Sequence, residues 1–380
     1  MEIKPHDTSL RDSIPLASSN NVIGYAISLT SCGTEPYADA AAVLKHSIHL
    51  NSIRTPSSGS KYDYKMYAFV HPQALDCSEV YKSLGYEVMT TDTPVDVTKI
   101  KGEFLRTTVV KRGCCQEKEF IKLYVYTLLE HQAVVSLDLD TLVLRPMDEL
   151  FDTIIHGPGQ AEVEVMYPDE MRVKQVDAFF VRDYRSTPAG KKHVAIQGGF
   201  FVVRPDRSKF NEYLEIILEG DYREHSGWGG LGFGGTYGAQ QIQGIVAYFY
   251  DHLHPGTAVE LNKCVYDNMV DDPRNPAGKC RVRDSTDCED CRKRNISDVK
   301  HMHFTMCAKP WYCPLLKAES LCYKFTYEWY RVRDKYEKSL KQSEDIISSK
   351  SNGKYFGFCN GFRRKAYTHM KHVVESDRQV

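Results

Sequence analysis

Two aspartates separated by one leucine, Asp138 and Asp140, interrupt the apolar stretch "AVVSLDLDTLVLRPMDELFD" at residues 133–152. Like charges where a buried strand gives out repel each other unless something neutralises them, and a divalent cation does so most simply. Hard carboxylate oxygens select magnesium or manganese, and such an ion keeps coordination positions that diphosphate oxygens can fill. A neutral imidazole is a suitable third donor. His303, in "VKHMHF", could supply it, with His301 and His193 equal to it on residue type alone. The plain alternative has one carboxylate capping the following turn and the other merely solvated, which is what an isolated Asp-x-Asp more often does.

Positioning such a pair requires the edge of a sheet. "VIGYAISLT" (22–30) reads as a buried strand and "YADAAAVLKHSIHL" (37–50) as a helix by its apolar spacing. After the loop "RTPSSGS", "YKMYAFVH" reads as a strand, "ALDCSEVYKSLG" as a helix stopped by Gly85, and "YEVMTT" as a strand. "KEFIKLYVYTLLEH" then reads as a helix that runs into "AVVSLDLD". This alternation predicts an α/β fold with a mostly parallel sheet covered on both faces, in which ligands bind beyond the carboxyl ends of the strands. Asp138 and Asp140 fall at such an end.

The chain's 380 residues suit one large α/β domain with decorations, or two domains. Its 49 basic and 50 acidic side chains give a formal net charge of -1, so no global charge draws it to nucleic acid or an anionic membrane. No apolar run reaches the roughly 18 residues of a spanning helix, and the polar opening "MEIKPHDTSLRDSIPLASSNN" does not read as a signal peptide. The 12 cysteines, clustered at Cys280, Cys288, Cys291, Cys307 and Cys313, exceed what an ordinary cytosolic enzyme carries, and Asn295-Ile-Ser297 is a glycosylation sequon within that cluster. Disulfides in an oxidising lumen are the preferred reading. Zinc at "CEDC" is the rival, weakened because no second tight pair follows, and buried thiols acting as small hydrophobes are a third. The Golgi or endoplasmic-reticulum lumen is the expected location if an anchor precedes this sequence, the cytoplasm if Met1 is the native start.

Aspartate-nucleophile phosphatases of the haloacid dehalogenase type also carry an apolar strand followed by DxDx[TV]. Here Leu142 stands where Thr or Val is required, several predicted strands precede the pair, and the later acidic motif has no match beyond Asp271-Asp272 in a loop. A fuller match lies elsewhere. "FIKLYVYTLLEHQAVVSLDLDTLVLRPMDELFD" resembles the centre of the glycogenin-like glycosyltransferases, family 8 of the retaining GT-A enzymes, in which a KL-bearing helix leads to a strand, DxDTLVL and DELF. Upstream, "ISLTSCGTEPYADAAAVLKHSI" is similar to that family's first strand and helix. Downstream, "IQGGFFVVRPDRSKFNEYLEII" resembles the segment after the metal motif, and "HFTMCAKPW" (303–311) its HFxxxxKPW closure. The blocks occur in the family's order across residues 22–312.

The resemblance implies a GT-A type α/β fold and a metal-dependent, retaining transfer of a hexose, glucose or galactose first, from a UDP-sugar to a hydroxyl of a glycan, protein or small molecule. It implies ligation of manganese or magnesium by Asp138, Asp140 and His303, and nucleotide contacts from Leu29, Thr30, Tyr37, Lys122, Asp138 and Lys309. Lys309 places a point charge suited to a β-phosphate leaving group, and Tyr37 a ring suited to a uracil face. Trp311 reads as core packing. The chain then divides into an N-terminal extension (1–20), a catalytic domain (21–318) with a Cys-rich insert near 264–300, and a helical tail (319–380) docked on that domain. A homodimer is the oligomer to test.

In the sugar pocket the chain departs from the family. Gln197-Gly198-Gly199 replaces Asn-Ser-Gly, and "GAQQIQG", with Ala239, Gln240, Gln241 and Gln243, replaces an Asp-Gln pair. Gln197 and Gln241 are the candidates to bond sugar hydroxyls or turn a carbonyl toward the anomeric carbon. The lost acid keeps a second reading open, a catalytically silent sugar-nucleotide or glycan-binding protein of the same fold. The glycine-rich "GWGGLGFGGTYG" (227–238) reads equally as an acceptor or lid loop and as a linker, and it does not fit a P-loop.

Overall fold

The computed structural model describes residues 21–33, 35–187, 193–234, 236–282, 288–340 and 354–372; the expected N-terminal extension lies outside them. Its strands are β1 Val22–Leu29, β2 Asp63–Val70, β3 Glu87–Thr90, β4 Val134–Leu137, β5 Thr141–Val143, β6 Ala178–Arg182, β7 Ile196–Val203, β8 Tyr222–Arg223, β9 Gly227–Trp228, β10 Ala258–Glu260 and β11 His301–His303. Seven of them form one sheet in the order β10-β6-β7-β4-β1-β2-β3, parallel throughout except for β7, which runs antiparallel to both β4 and β6. The α/β architecture, with a mostly parallel sheet flanked by helices, is therefore the one expected from the sequence.

β1 and β4 are almost wholly apolar because both faces of the sheet are covered. Helices Tyr37–Leu50, Asp148–His156 and Leu321–Ser339 pack on one face; Arg207–Glu219, Ile242–Tyr248 and the segment Gln116–Thr127 pack on the other. Two segments expected to be plain α-helices differ. Residues Gln116–Thr127 wind as a 3₁₀ helix, and because side chains three apart eclipse in that winding, Glu119 and Lys122 are stacked on one line toward the site. The stretch expected as one helix before Gly85 splits into a 3₁₀ helix Pro72–Cys77 and a helix Glu79–Ser83, with Cys77 tied to Cys32 at the break and Gly85 at φ 80° ending it.

Five disulfides join Cys32–Cys77, Cys264–Cys291, Cys280–Cys288, Cys307–Cys322 and Cys313–Cys359. The zinc reading of "CEDC" is thereby corrected: Cys288 and Cys291 belong to different bridges. Among the described residues no helix is long and apolar enough to cross a membrane. The glycine-rich segment is packed rather than a plain linker. β8 pairs with β9, and buried Trp228 donates its indole N–H to the Ala239 carbonyl at 2.8 Å. A Cβ on Gly227, itself at φ 66°, would stand 2.0 Å from the Phe233 carbonyl oxygen, so only glycine fits that crossing.

Two of the bridges fasten the tail to the segment that follows β11. Phe325, Trp329 and Tyr330 are fully buried, and residues 354–372 reach back to the first helix. There the buried Asp39 carboxylate accepts from Tyr367 Oη at 2.8 Å and Met370 N at 3.0 Å and pairs with His372 Nε2 at 2.6 Å. Replacing Cys313 and Cys359 by alanine, which opens a bridge across 46 residues, is expected to remove about 2–5 kcal/mol of stability. The urea midpoint under non-reducing conditions reads this, and an unmoved midpoint would contradict it.

Candidate functional site

β4 stops at Leu137, and the chain turns through Asp138, Leu139 and Asp140 before β5 leaves the main sheet to pair antiparallel with β11. Thr141 Oγ1 donates to the Asp138 carbonyl at 2.7 Å and Phe304 N to the Asp140 carbonyl at 2.9 Å, so the turn is held from both sides. The β5–β11 register sets His303 opposite Thr141 and brings its ring to the carboxylates. His303 Nε2 lies 3.3 Å from Asp140 Oδ1 and 4.0 Å from Asp138 Oδ2, and one ligand atom from each of the three falls within 4.8 Å of the others.

Charge is balanced by three cationic groups. Lys122 Nζ, nearly buried, stands 2.8 Å from Asp138 Oδ1 and 3.7 Å from Glu119 Oε1, and donates to the Gly198 carbonyl at 2.9 Å. Lys309 Nζ bonds Asp140 and the Phe304 carbonyl. Burial opposes charge on His303, but the Asp140 and Asp267 carboxylates overcome it and hold its pKa up at about 10. For Asp140, burial pushes upward, yet His303 and Lys309 keep it well below the usual carboxylate range. Without a bound cation, an imidazolium and an ammonium thus resolve the repulsion that the sequence poses.

These side chains open on a cavity of about 410 Å³ at the carboxyl ends of β1 and β4. Leu29, Thr30, Tyr37, Lys122, Asp138, Asp140 and Lys309 line it, which unites all the residues expected to contact a nucleotide. His303 is 5% exposed and forms the wall behind the carboxylates. His301, two residues away on the same face of β11, instead sets its Nδ1 3.1 Å from the Tyr266 carbonyl, and His193 stacks on Phe233 away from the pair. Trp311 is buried, as core packing requires, while its indole donates to Glu35 at 2.8 Å on the cavity wall.

The two glutamines stand outside this lining. Gln197 accepts from Gly199 N at 3.1 Å and sets its amide against Met269, and Gln241 donates to the Arg112 carbonyl at 2.9 Å. Both are buried, neither lines the cavity, and their polar groups are engaged by the protein. Sequence reasoning passed over Glu119, Glu35, Cys114, Cys115 and Tyr312 in the lining. It also passed over Asp267, fully buried behind the site, with Oδ1 3.2 Å from His301 Nδ1 and 3.7 Å from His303 Nδ1. Only Glu119 carried a signal, its spacing of three from Lys122. A second cavity, about 250 Å³ around Arg182 and Glu260, shares no residue with the first, and its arginine is already paired with Asp251 and Glu260.

β7 packs directly against these side chains. A Cβ on Gly199 would stand 2.3 Å from His303 Cε1 and 2.9 Å from Asp138 Oδ2, so alanine there would have to push both aside. The donor set of two carboxylates and one imidazole fits manganese or magnesium. Gly199→Ala is expected to weaken manganese binding by about 10–100-fold, measured by calorimetry; wild-type affinity in that variant would show that the cluster does not hold the ion.

No protein-family model and no curated protein matches this chain. Among solved structures it is similar to the galactosyltransferase LgtC in complex with donor and acceptor sugar analogs, at 11% identity over 83% of this chain and 95% of that one, with a TM-score of 0.41. It is similar also to mouse xyloside xylosyltransferase 1 in its apo form, at 12% identity over 75% and 98% of the chains and a TM-score of 0.42. A third is the apo-form glycosyltransferase GlyE of Streptococcus pneumoniae, at 9% identity over 85% and 64% and a TM-score of 0.43. At these identities and TM-scores the likenesses assign neither family nor substrate, and the functional reading rests on the site.

Proposed function

We propose that the chain is a metal-dependent glycosyltransferase of GT-A type, moving a hexose from a UDP-sugar to a hydroxyl acceptor with retention of configuration. One observation carries the reading: Asp138, Asp140 and His303 converge within 4.8 Å, and the two carboxylates line a cavity that also holds two lysines and a tyrosine ring. Asp138, Asp140 and His303 would hold manganese or magnesium, which when bound supplies positive charge for diphosphate oxygens. Lys309 adds charge where a β-phosphate gathers its own. Lys122 orients Asp138 through its 2.8 Å contact. Tyr37, half-buried on the cavity wall, offers its face to uracil.

Breaking the bond from the anomeric carbon to the diphosphate oxygen leaves an oxocarbenium-like sugar. The acceptor oxygen attacks on the face the diphosphate leaves, and its proton passes to the departing phosphate oxygen, so no side chain has to serve as general base. With Gln197 and Gln241 committed to the protein, hexose selection falls to other groups, and the donor is not inherited from glycogenin. Five disulfides fit work in an oxidising compartment.

The test is release of UDP from a panel of UDP-hexoses, with manganese and with chelator. One donor hydrolysed or transferred only with manganese is the expected result. UDP binding without release from any donor or with any acceptor would move the assignment to the silent binding protein, and absence of UDP binding would end both readings.

A further inference from the structure

We propose that Cys114 and Cys115 form a vicinal dithiol that closes reversibly into a disulfide and thereby gates the cavity. The gating rests on the nucleotide-site reading above; the dithiol chemistry does not. Every other cysteine of the chain is tied into one of the five bridges, and these two, adjacent in sequence, are free. Their sulfurs stand 2.9 Å apart, Cys114 is exposed, and both line the cavity beside Lys122 and Thr30.

Distance along the backbone separates the two classes. The five bridges span Cα separations between 4.8 and 5.9 Å, inside the ordinary range. Adjacent Cα atoms lie only about 3.8 Å apart across a trans peptide, short of the lower limit of about 4.4 Å. A bond between neighbours is therefore strained, and strained, accessible disulfides are the labile and regulatory ones. The same geometry makes five bridges structural and leaves the sixth pair switchable.

The pair is also activated for exchange. The two thiols share one hydrogen bond at 2.9 Å, an arrangement that favours a single thiolate in the pair. Either sulfur can attack, and the balance is the same with Cys115 first. Cys115 then displaces one thiolate from a small disulfide such as glutathione disulfide, giving a mixed disulfide. Cys114 then attacks the Cys115 sulfur and expels the second thiolate. The two leaving thiolates take up the two protons given up by the cysteines, so one disulfide is reduced to two thiols as one forms in the protein.

Closure bears on the cavity through both sides of the loop. Cys114, Cys115 and Thr30 all line the cavity, so joining the two sulfurs reshapes the wall that the loop presents to it. Behind the pair, Gln241 donates to the Arg112 carbonyl at 2.9 Å and so ties the loop just before Gly113. Gly113 at φ 79° and Gln116 at φ 59° bracket the pair in left-handed backbone, which fixes where the turn sits.

The experiment equilibrates the purified full chain in reduced and oxidised dithiothreitol mixtures, traps thiols by alkylation, and weighs the peptide containing residues 114 and 115. Reversible loss of both alkyl groups from that peptide, leaving it two hydrogens lighter than the unmodified dithiol, with the five bridges unchanged, is expected. UDP affinity with manganese, measured by calorimetry on the same samples, should fall at least about tenfold on closure. In a Cys114→Ser/Cys115→Ser variant, UDP affinity should no longer respond to the redox mixture. Thiols that stay open in every mixture overturn the dithiol site. Closure with unchanged UDP affinity overturns the gate, and closure in a protein whose reduced form binds no UDP overturns the nucleotide reading and the gate with it while the dithiol stands.

Discussion

Asp140→Ala is expected to lower kcat/KM for manganese-dependent UDP release by about a thousandfold, the several kcal/mol that a metal's charge contributes to a developing phosphate anion. Asp140 has this weight because it touches two cationic groups at once, His303 at 3.3 Å and Lys309. Removing it takes one ligand from the cation and also frees Lys309 from its place beside the cavity. Circular dichroism and the unfolding midpoint, compared with wild type, separate this from misfolding. A well-folded Asp140→Ala protein that retains activity within tenfold of wild type would falsify the assignment of the Asp-x-Asp pair as the metal centre.

Lys122→Met is expected to cost about 3–5 kcal/mol of stability, because it strands one half of a buried ion pair. Lys122 and Glu119 are 7% and 5% exposed and meet the cavity only at their edges, so loss of the ammonium leaves Glu119 largely desolvated. Burial already pushes the Glu119 carboxyl up, with Lys122 opposing; once the ammonium is gone it rises further. A carboxyl whose folded pKa lies above its unfolded value, about 4.3, stabilises the native state only at low pH and loses that contribution as pH rises through the folded value. The deficit of Lys122→Met should therefore be smallest near pH 4 and grow toward neutrality. Adding Glu119→Leu should recover much of it. Urea midpoints for wild type, single and double variants across pH measure this, and a double variant no more stable than the single one would show that the two side chains are not a coupled pair.

What the sequence made legible was local. The helix at 37–50 agrees with its apolar spacing to the residue, and the strands at 22–29, 63–70 and 134–137 with their apolar runs, because burial on both faces leaves a continuous signature that one segment carries by itself. Segment 118–131 was expected as an α-helix; the structure winds 116–127 as a 3₁₀ helix from which Lys122 meets Asp138 and the Gly198 carbonyl, contacts with distant parts of the chain that local composition does not encode. Asp138, Asp140, His303 and Lys309 were legible through motif resemblance, whereas Asp267 was not. Its role as the carboxylate behind His303 exists only once β11 has docked beside it, and nothing in "VYDNM" announces that. Gln197 and Gln241 stand outside the lining for a related reason: an amide signals the capacity to bond, not which partner takes it first.

The return of residues 354–372 onto the first helix also sets an order of events in making the protein. Asp39 finds its partners Tyr367, Met370 and His372 at sequence separations of 328 to 333, and Glu35 finds Trp311 at one of 276. At ribosomal speeds of about 5–20 residues per second, helix Tyr37–Leu50 waits tens of seconds after emerging with a carboxylate that has nothing to bond. The packing of the first helix is thus completed only after residues 354–372 have been made, and until then the nascent first half is a natural client for chaperones.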